Sequence, residues 1–177
     1  MHRVYRFFFG SLFLVAITVL HIGLSYLLPH PWNNMNILIS TLMLFLVFTE
    51  SPVVVWMTMA VFYVIELYAI IPFGIHIFSA TMSTLLSLWA YRYVVTGRRW
   101  YSTLALTAFA ILVYRITYTI LLVATSQAAI PFSAYGDLSI QYAWEMLLTS
   151  LLTIFLYGII HVPSLYRNHF WKKYAHR

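Results

Sequence analysis

The sequence predicts an all-α integral membrane protein, a bundle of about six transmembrane helices with both termini cytoplasmic, and three observations carry that expectation. Of the 177 residues 63% are hydrophobic and 8% charged, with a mean hydropathy of +0.86, whereas an ordinary soluble domain carries about 25% charged residues. The apolar residues are gathered into runs near the ~20 residues that cross a bilayer. Nine of the ten Lys and Arg residues fall on one side of the alternation those runs define. The chain reads as one domain, 1–177, with short connections and no room for an extramembrane catalytic domain.

The first span runs from Phe7 to Leu28, after Arg3 and Arg6. It is too long for a secretory signal core of 7–15 residues and has no small-residue cleavage site after it, so it is expected to be retained. Pro29-His30-Pro31-Trp32-Asn33-Asn34 ends it, because proline lacks the backbone donor and disfavours helix just before it. From Met35 to Ile71 the chain is apolar except at Glu50 and Glu66. As one helix that stretch would be ~55 Å long, nearly twice the hydrocarbon thickness, so it must fold back.

Thr49-Glu50-Ser51-Pro52 is the expected turn, since Ser51 can cap a helix and Pro52 suits a first turn. The second span, 35–48, is then only ~21 Å long and either spans with local thinning or is re-entrant. The third, 53–71, ends at Pro72-Phe73-Gly74, and the fourth, 75–95, at Thr96-Gly97-Arg98-Arg99. The fifth covers 102–124. A loop from Thr125 to Ser139, containing Pro131, Gly136 and Asp137, leads to the sixth at 140–162 and a basic tail at 163–177.

Arg3, Arg6, Arg92, Arg98, Arg99, Arg167, Lys172, Lys173 and Arg177 share one side, and Arg115 lies within a span. Positive residues stay on the cytoplasmic side, which sets the inside-inside orientation. Trp32, Trp56, Trp89, Trp100 and Trp144 fall near span ends, as an interfacial belt requires. The net charge of +6 therefore reports topology and anionic-lipid contact, and nucleic acid is not expected as a partner. With no cysteine there is no disulfide, thiolate metal site or Cys nucleophile.

Charges inside spans are the first candidates for a site, because each costs at least ~2.5 kcal/mol at the membrane centre unless paired or hydrated. Glu66 and Arg115 each lie ~20 Å from the cytoplasmic ends of their spans, and His21 at a similar ~21 Å. The three could form a proton or solute site. The alternative, a structural ion pair between two helices, is favoured because no second carboxylate lies at that depth. Glu145 is expected near the outer end of its span, where interfacial water would satisfy it. Ser79, Ser83 and Ser87 recur every four residues beside His76 and Ala90, a small-residue stripe suited to packing inside the bundle or to a partner's transmembrane helix.

Enzyme signatures are missing. There is no HExxH, no GxSxG and no Gly-rich phosphate loop followed by Lys. The histidines are scattered and only four carboxylates exist, so paired acid and base groups are hard to assemble. Neither catalysis, a cofactor nor a metal is expected.

The stretch from Phe62 to Arg99, FYVIELYAIIPFGIHIFSATMSTLLSLWAYRYVVTGRR, resembles MreD, the membrane subunit of the bacterial rod-shape complex. In that family an acidic residue near the end of the third span precedes a short break ending in Gly and a long span closing on basic residues. Those features fall on Glu66, on Pro72-Phe73-Gly74 and on Arg92 to Arg99. Weaker likeness covers nearly the whole chain, including Asn34 to Asn36 before the second span and Pro163 beside the basic tail. The chain departs in having Glu66 where Asp is usual and in lacking a Gly near Tyr63. The resemblance implies a non-enzymatic scaffold in the bacterial cytoplasmic membrane that binds MreC and helps couple MreB to RodA and its penicillin-binding transpeptidase during peptidoglycan synthesis. MreD is similar in structure to the substrate-binding subunits of energy-coupling-factor vitamin transporters, which supply the alternative. Those often carry an Ala-x-x-x-Ala stripe in the first span, where this chain has only Ala16.

Overall fold

The computed structural model describes the backbone of residues 2–95, 97, 99–125 and 132–174, and the side chains of 14–95, 97, 99–125 and 136–160. The side chains of Arg3, Arg6, Arg167, Lys172 and Lys173, and all of Arg98, Pro131 and Arg177, lie outside the described residues. The described chain is all helical: α1 (His2–Leu27), a 3₁₀ turn (Trp32–Asn34), α2 (Ile37–Thr49), α3 (Val53–Glu66), α4 (Ile75–Tyr93), α5 (Trp100–Thr125) and α6 (Phe132–Tyr174). Two helical stretches, Trp100–Thr125 and Gly136–Ile160, are long and apolar enough to cross a membrane.

α2 is the hub. It touches α1, α3, α4, α5 and α6, and nine of its thirteen residues are buried, from Ile37 to Val47. A helix that is apolar all round has no face to give to water and settles at the centre of a bundle. α3, α4, α5 and α6 follow one another around it, each packed on the next. Leu38, Leu42, Met43, Leu46 and Val47 of α2 meet Val54, Phe62, Leu106 and Ile111 in a single core.

The α2–α3 turn forms where the sequence predicts. Glu50 adopts φ 53° and its N–H donates to the Leu46 carbonyl at 2.8 Å, closing the helix with a left-handed residue. Ser51 is not the cap itself, which is Pro52, but its Oγ accepts from Val53 N–H at 3.3 Å.

Four boundaries differ from expectation by five residues or more, the first being the start of α1 at His2 and not at Phe7. α3 stops at Glu66, not at residue 71. Pro72 lacks an N–H and its ring opposes the carbonyl four residues back, so the helix closes early, through tight bonds from Tyr68 N–H to Ile65 O and from Ala69 N–H to Glu66 O. Gly74, at φ 103°, then starts α4 in a conformation that L side chains resist. α6 begins at Phe132 and absorbs half of the expected Thr125–Ser139 loop, Gly136 included. It also continues past Pro163 to Tyr174, so the backbone of 163–174 extends the sixth helix.

The outer surface of the bundle is apolar, and polar side chains lie on the inner faces of α5 and α6. On α6, Ile140, Trp144, Leu147, Leu151 and Phe155 are exposed, while Glu145, Thr149 and Thr153 are buried. On α5, Phe109, Leu112, Ile116 and Ile120 face outward and Thr103 and Thr107 inward. A soluble monomer rarely exposes contiguous apolar patches of this extent.

Candidate functional site

A polar network joins α2, α5 and α6. Glu145, Thr149 and Thr153 stand at i, i+4 and i+8, hence in one row on α6, and face Asn36 and Ser40 at the start of α2. Asn36 caps α2, its Oδ1 accepting from Ile39 N–H at 3.1 Å. Its backbone N–H donates to Thr149 Oγ1 at 2.9 Å and its Nδ2 to Glu145 Oε1 at 3.1 Å. One turn on, the Ser40 and Thr153 hydroxyls are 2.9 Å apart. The other Glu145 oxygen receives Arg115 Nε from α5.

Arg115 is held in an aromatic cage. Its guanidinium carbon lies 4.8 Å from the Tyr142 ring centre, 5.5 Å from Tyr114 and 5.8 Å from Tyr118, distances at which a cation is attracted to a ring face. The cage is itself pinned: Tyr142 Oη bonds Thr119 Oγ1 at 3.0 Å, and Tyr114 Oη bonds His76 Nδ1 at 2.8 Å. Beside it lies a cavity of about 180 Å³, bounded on its polar side by His21, Asn33, Asn34, Arg115 and Glu145.

This arrangement corrects the expected Glu66–Arg115 pair. Among the described residues the carboxylate that meets Arg115 is Glu145, which is 1% exposed, not an interfacial group satisfied by water. The reason is the early start of α6: Glu145 stands thirteen residues inside the helix instead of five, and the long Arg115 side chain covers the remaining offset. Glu66, also buried, serves the backbone. Its Oε2 accepts from Ile77 N–H at 2.9 Å in the first turn of α4, and its Oε1 has no partner. His21 and Arg115 line the same cavity, while Glu66 does not line it and contributes only its neighbours Phe62 and Ile65.

The segment Pro72-Phe73-Gly74 is thereby part of one unit with Glu66. The chain breaks, turns through Gly74, and the carboxylate reaches across the break to the open N–H groups of α4, where a negative charge is favoured. The serine stripe lies inside the bundle. Ser79, Ser83 and Ser87 are all buried, and Ser83 Oγ donates to the Ala110 carbonyl of α5 at 2.6 Å. It is therefore a packing seam between α4 and α5 and is not free to receive a partner's helix. Ser83→Leu should overpack this contact and lower stability by about 1–3 kcal/mol, read as a lower melting temperature of the isolated chain.

Sequence reasoning missed Glu145 as the partner of Arg115 and Asn36 as the second donor to that carboxylate. The available signal was the Glu145, Thr149, Thr153 row, three polar residues at helical spacing in an otherwise apolar segment. Among the described residues no three His, Asp or Glu side chains form a metal-binding group. Comparison with protein-family models, with curated proteins and with solved structures finds no match to this chain.

Proposed function

We propose that the bundle lies across a bacterial cytoplasmic membrane as a six-span protein with both ends inside, and that it acts as a non-enzymatic scaffold of the rod-shape complex. The membrane reading is supported by the apolar outer surface, with Leu, Ile, Val and Phe exposed along α5 and α6 while Thr, Asn and Glu side chains are buried. α2 and α3 are each only ~20 Å long. For α2 this is tolerable because it is wrapped by the other helices, and backbone ends at membrane depth are accepted where protein satisfies them. Asn36 and its partners do so at one end, the Glu50 turn at the other.

The observation that carries the scaffold reading is the Glu66 to Gly74 unit. The acidic residue, the break and the glycine that resemble the MreD pattern are joined by a hydrogen bond to the first turn of α4, and α4 closes on Arg92. In this reading the chain binds an MreC-like membrane protein and, through it, RodA, a penicillin-binding transpeptidase and MreB. The second reading, a substrate-binding subunit of an energy-coupling-factor transporter, draws on the polar cavity beside Arg115.

Two experiments test this. Because the chain has no cysteine, single cysteines at His30 and Tyr93, both exposed, should react with an impermeant reagent from opposite faces of intact cells. Equal reaction at both would refute the topology. For the partner, the full chain co-expressed with an MreC-type protein should retain it through purification, and association with a transporter's ATPase and coupling subunits instead would overturn the scaffold reading.

A further inference from the structure

The cavity beside Arg115 has a composition that packing alone does not explain. Arg115 gives only Nε to Glu145, and its remaining N–H groups have no acceptor among the described residues; its side chain, 22% exposed, lines both this cavity and an apolar one between α5 and α6. Both Glu145 oxygens are occupied, by Arg115 and by Asn36. Three further polar atoms on side chains of the same cavity, His21 Nδ1, Asn33 Oδ1 and Asn34 Nδ2, have no hydrogen-bond partner. Buried polar groups are nearly always partnered, so a cluster of exceptions calls for an explanation.

The cavity is also lined by the apolar side chains of Met35, Phe62 and Ile65 and by Tyr114. A concave site with an apolar wall and a few convergent polar groups is the usual anatomy of a small-molecule site. We propose that this cavity binds a small uncharged aromatic amide or lactam. Its carbonyl oxygen accepts from Arg115 and from Asn34 Nδ2, its N–H donates to Asn33 Oδ1 in the 3₁₀ turn, and its ring lies against Phe62 and Ile65. The ligand is uncharged because Glu145 already balances Arg115, so a carboxylate would bring an uncompensated negative charge into a buried site. The volume of about 180 Å³ suits a molecule on the order of ten non-hydrogen atoms, given that one water needs ~10–15 Å³ measured the same way.

The proposal rests on the cavity alone, and its test uses the purified full chain, so it fails or stands separately from the partner experiment. Benzamide is the probe and benzoate, the same ring with a carboxylate, the comparator. Benzamide should raise the melting temperature saturably and bind in equilibrium dialysis, with benzoate at least about tenfold weaker. His21→Phe narrows the cavity from α1 without touching the Arg115–Glu145 pair. It should weaken benzamide at least about tenfold, a difference of 1.4 kcal/mol, while leaving the ligand-free melting temperature near that of the parent. Asn33→Leu, from the 3₁₀ turn, should do the same and replaces His21→Phe if that variant does not fold. No saturable benzamide binding, benzoate binding as tight as benzamide, or undiminished binding in the folded variants would each overturn the proposal and leave a cavity filled by water only.

Discussion

Replacing Glu145 by Leu is expected to destabilise the folded chain by about 3–5 kcal/mol, the largest single effect anticipated in this protein, because it strands the Arg115 charge in a buried site. Arg115 Nε and Asn36 Nδ2 both converge on this carboxylate, which is 1% exposed. Removing the charge as well, in Arg115→Met with Glu145→Leu, should recover a substantial part of the loss, since two well-packed apolar residues often replace a buried pair without penalty. Reversible unfolding in a mixed-micelle denaturant series measures all four corners of the cycle. Additive losses would exclude the pair. The cycle built on Glu66→Gln and Arg115→Met should by contrast be additive within about 0.5 kcal/mol, as for sites that share no partner.

Asn36→Ala should cost about 2–4 kcal/mol, the second-largest effect, because one side chain serves two purposes. Loss of the α2 cap accounts for ~1 kcal/mol, and a Glu145 oxygen left without its donor for about 1–3 kcal/mol. Asn36→Asp separates the two contributions. Aspartate caps as well as asparagine does, but it has no N–H for Glu145 and sets a second carboxylate against the first, so it should remain destabilised. Full rescue by Asp would show that the cap alone matters and that the bond to Glu145 contributes nothing. The melting temperature of the isolated chain reads both outcomes.

Much of the helix pattern was legible because it rests on local chemistry. Pro29 and Pro31 end the first helix, Pro72 with Gly74 separates the third from the fourth, and the Glu50 to Pro52 turn folds α2 back on α3; these act through missing donors, ring sterics and backbone conformation. The sixth helix was misread for the same reason. Gly136 and Asp137 are ordinary loop residues, yet both lie inside a helix that begins at Phe132.

The candidate site was half legible. Arg115 and His21 stood out as polar groups in apolar runs, and the structure places both on one cavity. Glu66 stood out equally but is engaged with the first turn of α4. Depth along a helix gives one coordinate of a side chain, while pairing needs the rotation of each helix about its axis and the identity of its neighbour. Those two quantities are tertiary.

By itself, then, the sequence determined that the chain is helical, where most helices begin and end, and which few polar residues require partners, since composition and turn chemistry act within a few residues. Only the tertiary structure decided that the short, largely apolar α2 is the centre of the bundle, that the serine stripe is internal, and that Arg115 belongs to Glu145 instead of Glu66. Each of those follows from which faces meet, and that is settled by burying α2 from all sides while every buried polar group competes for the partners the packing brings within reach.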